Sequence, residues 1–220
     1  MPSAAYGLPR NGFIAVGRSG KLSFVHRNDV MIALPLPVSY VFAEARAIND
    51  HRVICGTVWD WTRPNACVWR PTGNAYAPLS LPMPAGADMA SAWGIGPDGS
   101  VVGNATRSGQ TEFMRAVIWS AVGMPRDLGP LAPGASSTAA AIAQTKAGVE
   151  IVGSCERTPR KGDFAATLWR GNKLYDLNQC IEPTGEWRLW SAHAINAQGM
   201  IVGQGIHQGT QRAYLLAPVK

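Results

Sequence analysis

The residues best suited to chemistry sit in one short loop, Val58-Trp59-Asp60-Trp61-Thr62-Arg63-Pro64-Asn65. Two indoles flank a carboxylate. Sugar binders set an aromatic face against the C–H surface of a pyranose and a carboxylate against its hydroxyls. Trp59, Asp60, Trp61 and Arg63 therefore form a candidate glycan subsite. Packing competes with that role, because Trp59 and Trp61 alternate and one of them can turn inward. Comparable loops carry Arg63, Arg107, Arg115, Arg157, Arg160, Lys161 and Arg212 against Asp60, Glu112, Glu156 and Asp163. The basic excess reads either as an anion-binding or partner-docking rim, with Arg107, Arg157 and Arg160 as candidate contacts, or as solvated hairpin tips.

The histidines, His26, His51, His193 and His207, occupy different surroundings. His193 lies among small residues (Ala192, Ala194) and is a candidate to face a central channel. No second histidine stands at ligand spacing, and no pair among Cys55, Cys67, Cys155 and Cys180 makes a CxxC motif, so neither metal nor cofactor is expected. Serine and cysteine nucleophile signatures are absent. The segments that would line an axis hold almost no carboxylates, which argues against a glycoside hydrolase.

The elements that must position these groups come from a repeat. AHAINAQGMIVG (Ala192–Gly203) recurs as ARAINDHRVICG (Ala45–Gly56), AWGIGPDGSVVG (Ala92–Gly103) and AAAIAQTKAGVEIVG (Ala139–Gly153). Each copy reads as strand, tight turn, strand. The closing glycines, Gly56, Gly103, Gly153 and Gly203, are 47, 50 and 50 residues apart. A polar loop follows each, then a third apolar run: Ala66–Trp69, Ala116–Trp119, Ala166–Trp169 and Ala213–Leu216. A fourth run follows in three copies (Pro78–Pro82, Arg126–Gly129, Lys173–Leu177) and not in the last. Four short strands in 45–50 residues is about the period of propeller blades. Pro97-Asp98-Gly99 is a hairpin signal, and no stretch sustains a helical period, so almost no helix is expected.

Phe13–Gly17 (FIAVG) looks like a worn second strand, and Val30–Pro37 resembles the Pro78–Pro82 run. A second alignment sets Arg18–Leu22 against Arg170–Leu174, and both stay open at this point. The expected architecture is all-β: a propeller of five blades with four antiparallel strands each, closed by an N-terminal strand that completes the last blade. A four-bladed ring and a pair of β-sandwiches fit the same pattern. The whole chain, 1–220, reads as one repeat domain, with 1–44 a degenerate first blade and 45–83, 90–131, 138–178 and 190–220 the clear repeats. Consecutive apolar residues (Val101-Val102, Ile151-Val152, Val117-Ile118) mean sheets covered on both faces. Alanines in each first strand suit a crowded axis. Trp69, Trp119 and Trp169 share one repeat position and are expected between blades. If Gly56 pairs with Ala66, Cys55 faces Cys67; a disulfide and two buried thiols both fit that register.

The phrases resemble the bacterial "probable extracellular repeat, HAF type". The resemblance runs from Ala45 to the C-terminus. It rests on A-x-A-I-N, on G-x-V-V-G, on Arg115–Trp119, Phe164–Trp169 and Arg212–Leu216 at the family's third-strand signature, and on Asp127-Leu128-Gly129-Pro130-Leu131 for D-L-G-x-L. The signature histidine is absent. The resemblance implies repeated β-blades and an extracellular or surface setting; it carries no catalytic residues. The N-terminus, MPSAAYGLPRNGF, has neither the basic segment nor the apolar core of a signal peptide.

Bulk properties bound the rest. The chain has 220 residues, 8 of them Trp, and a net charge of +6 from 20 basic and 14 acidic residues. Its pI is near 9.4 and its mean hydropathy near zero (−0.02). The charge permits attraction to polyanions, but no nucleic-acid-binding motif accompanies it. The most apolar stretch, Val30–Ala45, is interrupted by Pro35 and Pro37 and is too short to span a bilayer. The expected function is a non-enzymatic binding module that presents one loop-rich face to a glycan or protein ligand. Its contacts would come from Trp59, Asp60, Trp61, Arg63, Arg107, Arg157, Arg160 and His193. An assembly component packing through its rim is the alternative, and a glycan-active enzyme the weaker one.

Overall fold

The computed structural model describes residues 3–9, 14–110, 113–159, 162–182 and 186–219. They form five antiparallel sheets in chain order, the blades of a propeller. The first blade is β1 (Ser3–Gly7), β2 (Ile14–Ser19), β3 (Leu22–Arg27) and β4 (Val30–Ala33). The second is β5 (Phe42–Ile48), β6 (Ile54–Trp59), β7 (Pro64–Thr72) and β8 (Ala75–Ser80). The third is β9 (Met89–Ile95), β10 (Val101–Thr106), β11 (Arg115–Trp119) and β12 (Pro125–Asp127). The fourth is β13 (Ser137–Thr145), β14 (Gly148–Glu156), β15 (Phe164–Arg170) and β16 (Lys173–Asp176). The fifth has three strands: β17 (Trp187–Ile195), β18 (Ile201–His207) and β19 (Thr210–Leu216). A single 3-10 turn, Leu177–Gln179, follows β16.

The repeated phrase owes its spelling to a bulge. In every blade a residue of the first strand, next to the partner of the phrase's closing glycine, is left unpaired opposite the second strand, and the fifth blade leaves a further one, Trp190. Ala45 pairs with Gly56 and Ala47 with Cys55, leaving Arg46 over. In the other blades the residue left over is Tyr6, Trp93, Ala140 or His193. The bulge drives the preceding carbonyl against the second strand. A Cβ on Gly17, Gly56, Gly103, Gly153 or Gly203 would fall on the carbonyl oxygen of Ala4, Glu44, Ser91, Thr138 or Ser191 respectively. Only glycine fits there. The turn residues are equally local in cause. The Asn49 side chain accepts from the His51 and Val53 N–H groups (3.1 and 3.0 Å). Asn196 does the same for Gln198 and Met200, and Asp98 for Ser100. Gly99 closes its turn at φ +87°.

Blades are joined face to face. The first strand of each following blade lies over the second and third strands of the one before, β5 on β2 and β3, β9 on β6 and β7, β13 on β10 and β11, β17 on β14 and β15. Each of these four seams holds its own apolar cluster. Trp69, Trp119 and Trp169 are buried there, and each indole N–H donates to a carbonyl of the preceding blade: Pro35 (2.7 Å), Pro82 (2.8 Å) and Gly129 (3.2 Å).

The N-terminus departs from expectation in its closure. Gly17 and Val30–Ala33 take the places read for them, as the second-strand glycine and the fourth strand of a full blade. The alignment of Arg18–Leu22 with Arg170–Leu174 fails, because Gly20 turns between second and third strands and Gly171 between third and fourth. Among the described residues no N-terminal strand completes the fifth sheet. β1 pairs with β2 through its own bulge and stays in the first blade.

The seam between the fifth and first blades also differs from the other four. Val16, Cys55, Val102 and Val152 occupy one repeat position at 0% exposure, whereas Val202 there is 42% exposed. Val25, Val68 and Leu168 are buried, and Leu215 at the same position is 62% exposed. Ala66, Ala116 and Ala166 are buried; Ala213 is exposed. β1, which would cover these residues, is itself exposed from Ser3 to Tyr6. Among the described residues no apolar cluster bridges this seam.

Cys55 and Cys67 are a register correction. Gly56 pairs with Cys67 and Cys55 with Val68, one residue from the Gly56–Ala66 pairing. That single step sends the two side chains to opposite faces, Cys55 towards the third blade and Cys67 towards the first. All four cysteines are free, and burial pushes the thiols of Cys55, Cys67 and Cys155 up to about 12.

The open seam makes a paired prediction. Leu168→Asp places a charge in a packed interface and should cost more than about 3 kcal/mol, while Leu215→Asp, at the same repeat position, should stay within about 0.5 kcal/mol. Urea titration of both variants measures this; equal losses would mean that the fifth blade is packed like the others.

Candidate functional site

The first strands surround a channel, and the bulged residues line its middle. One chamber of about 380 Å³ is walled by Tyr6, Arg46, Trp93, Ala140 and His193, one from each blade, together with Thr138, Ser154 and Ser191. The Arg46 guanidinium sits between two rings, its central carbon 4.7 Å from the Tyr6 centroid and 4.6 Å from that of Trp93. Glu44, one of the few inner-strand carboxylates, takes a 2.8 Å hydrogen bond from Arg46. The Arg46 Nε and Trp93 Nε1 groups are enclosed with no hydrogen-bond partner. His193 is exposed to the channel, with its Nε2 3.0 Å from the Ser191 hydroxyl.

The chamber adjoins the loop face. Thr138, Ser154 and Ser191 also wall a groove of about 350 Å³ that runs out between Met114, Phe164, Arg188 and Trp190. The opposite mouth, about 550 Å³, is ringed by Leu8, Ile95, Ile142 and Ile195 with the turn residues Asn49, Asn196 and Gln198.

The expected site residues are dispersed. Trp59 ends β6 half-buried, its carbonyl accepting from Val41 N–H. Trp61 stands 72% exposed with φ +122°, a backbone region that bulky residues avoid. Its ring meets Phe42 edge-on at 5.2 Å, and the Lys21 ammonium lies 5.2 Å from the Phe42 centroid and 5.7 Å from that of Trp61. Asp60 serves its own loop: Oδ1 accepts from the Thr62 and Arg63 N–H groups (2.8 and 2.9 Å) and the Thr62 hydroxyl (2.9 Å). Those bonds hold its carboxyl below the usual range. Arg63 pairs with Asp88 at 3.4 Å. Arg107 lines a separate groove with Arg115 and Asp127.

Arg157 is tied into an ion-pair network and lines a groove with Leu131, Tyr175 and Asp176. Its Nε donates to Asp176 at 2.8 Å and its Nη1 to Asp163 at 3.2 Å, and Asp163 also pairs with Arg188. Arg160, and with it Lys161 and Glu112, lies outside the described residues. Of the seven expected residues that are described, only His193 lines the channel, and Trp59, Asp60, Trp61 and Arg63 share one hairpin.

A search of solved structures finds the same architecture in a protein of Agrobacterium tumefaciens provisionally named TolB. The TM-score is 0.67 at 12% identity, over 98% of this chain and 76% of that one. The fold is a β-propeller of the TolB type. At that identity the likeness carries the fold alone. No family model matches the chain, and no curated protein does.

The channel residues Tyr6, Arg46 and Trp93, and Trp190 beside them, were missed in sequence. A signal existed. Tyr6, Arg46, Trp93, Ala140 and His193 are the variable x of the small-x-small phrase, the one place where its copies differ most. Of the five, the sequence points only His193 to the channel; the bulge turns all five to the axis.

The Arg157 network has a pH signature. Burial by itself would raise the Asp176 carboxyl, but the hydrogen bonds from Arg157 and Asn178 outweigh it and hold the group below its ordinary value of 3.8. A depressed folded pKa gives stability that is whole above the unfolded pKa and lost as pH falls through the folded one. Asp176→Asn should therefore lower Tm at pH 7 and flatten its fall between about pH 4 and 2. An unchanged acid limb in melting curves would show that Asp176 is not a source of the acid sensitivity.

Proposed function

We propose that this chain is a non-catalytic carbohydrate-binding module that engages its ligand on the loop face, over the mouth of the channel. The observation that supports this most is Trp61. A large aromatic ring is held out in solvent on a strained backbone, by a turn whose carboxylate is spent on keeping it there. Strain of this kind persists where function retains it. The Phe42 ring and the Lys21 ammonium back the platform on one side. A second aromatic patch, Phe164 and Trp190, lies on the same face beyond the channel mouth. The likeness of the repeats to HAF-type extracellular repeats agrees with a module that meets glycans outside the cell. No helix among the described residues is long and apolar enough to cross a membrane.

Trp61→Gly separates function from stability. Glycine accepts φ +122° without strain, so this variant should be more stable than the parent by about 1 kcal/mol. It should also lose the signals seen on a glycan array. Retained glycan binding in Trp61→Gly and Trp61→Ala would refute the platform.

A second reading, docking within an assembly, is favoured by one observation: Val202, Ala213 and Leu215 form an uncovered sheet face at the open seam. It predicts concentration-dependent association in sedimentation that Leu215→Asp abolishes; a monomer at all concentrations counts against it.

A further inference from the structure

We infer that the loop-side chamber of the channel is a subsite for an acidic sugar, a uronic acid residue whose carboxylate is held by Arg46. The inference rests on the carbohydrate reading above and goes beyond it, because it lies in the channel and uses none of the Trp61 loop. Three observations carry it. First, the wall is made of hydrogen-bond donors and rings: Arg46, Trp93, His193, Tyr6 and the hydroxyls of Thr138, Ser154 and Ser191, with no carboxylate among them. The Glu44 carboxylate stands behind Arg46, bonded to one of its terminal nitrogens, so it fixes the guanidinium without facing the chamber. Second, the five side chains at the axis come from the bulge, where nothing in the scaffold requires them. Ala140 shows that a methyl group serves there. Placing Arg between Tyr and Trp at that position is a choice the fold does not impose. Third, the Arg46 Nε and Trp93 Nε1 donors have no partner in the protein. Both atoms are closed to solvent as the chain stands, so an oxygen reaches them when a neighbouring side chain shifts, and an unpaired donor of this kind gains most from such a partner.

The size and approach agree. The chamber holds about 380 Å³, inside the range of roughly 300–1,000 Å³ for small-ligand sites. It opens through the groove at Trp190 and Phe164 to the loop face, so a chain lying there can lower one residue into it. Hydroxyls suit the Ser and Thr wall, and a carboxylate suits Arg46 as a charge-assisted acceptor.

Isothermal titration of the whole protein with a glucuronate-containing disaccharide and its neutral glucose counterpart tests this. The acidic sugar should bind at least about tenfold tighter, a difference of 1.4 kcal/mol. Trp93→Phe keeps an aromatic ring beside Arg46, removes the N–H and shortens the ring system. It should weaken acidic binding about fivefold, within the range for one ordinary hydrogen bond, with Tm read alongside to confirm folding. Arg46→Met should remove the acidic preference, with Tm read alongside to confirm folding. Equal affinity for both sugars, or acidic preference intact in Arg46→Met, overturns the chamber and leaves the Trp61 platform standing. Absence of binding by either sugar, with the parent folded, overturns both. An acidic peptide that binds in an Arg46-dependent way while the uronate does not overturns the sugar as occupant.

Discussion

The close approach of backbone to backbone at the inner bulge is the constraint on which the rest depends. In each blade a first-strand carbonyl presses against the second strand at a point where only hydrogen can face it. That contact sets the spacing of the phrase, the identity of its glycine and the direction of the unpaired side chain. It recurs in the first blade, where little else of the phrase survives: Ala5-Tyr6-Gly7 faces Gly17 as Ala45-Arg46-Ala47 faces Gly56. The fifth blade adds a variation. The Tyr214 hydroxyl reaches over Gly203 and donates to the Ser191 carbonyl at 2.9 Å, the same oxygen that crowds the glycine.

The bulge also divides labour within the strand. Residues on either side of it are small, and in the second, third and fourth blades they face neighbouring blades, so they cannot vary there without disturbing a seam. The bulged residue points to the axis and is released from packing. Five side chains of unlike chemistry can therefore gather in one small volume on a scaffold that otherwise repeats itself. The loop face gains its variety by a different route, through hairpins of unequal length whose carboxylates are mostly committed. Asp60, Asp88, Asp163 and Asp176 all satisfy local N–H groups or arginines. Among the described basic residues counted in the sequence, Arg63, Arg115 and Arg157 are ion-paired within the rim.

Seams between blades combine apolar burial with one directional bond. An indole fills the interface and its N–H ties to the carbonyl of the blade before. The third-strand position that holds Trp in three blades is His26 in the first and Leu216 in the last. Each indole clasps the blade before its own, so His26 leaves the fifth-to-first seam, and Leu216 the fourth-to-fifth seam, without this clasp.

The sequence by itself determined what depends on near neighbours. The repeat period, the strand runs, the turn asparagines and glycines, the interior tryptophans and the worn copy at Gly17 were all legible. Their causes, a local hydrogen bond, a steric clash or a run of apolar residues, lie within a few positions along the chain. Tertiary structure decided what depends on partners far apart. It set the register that sends Cys55 and Cys67 to opposite faces, since one residue of slip costs nothing in composition. It kept β1 in its own blade and left the last sheet with three strands, because pairing between chain ends is not encoded in either end alone. It drew Tyr6, Arg46, Trp93 and His193 together from four blades, while parting Arg157 from the Trp61 loop. Strand periodicity says which face a residue takes; only the assembled bulges say that five of them meet.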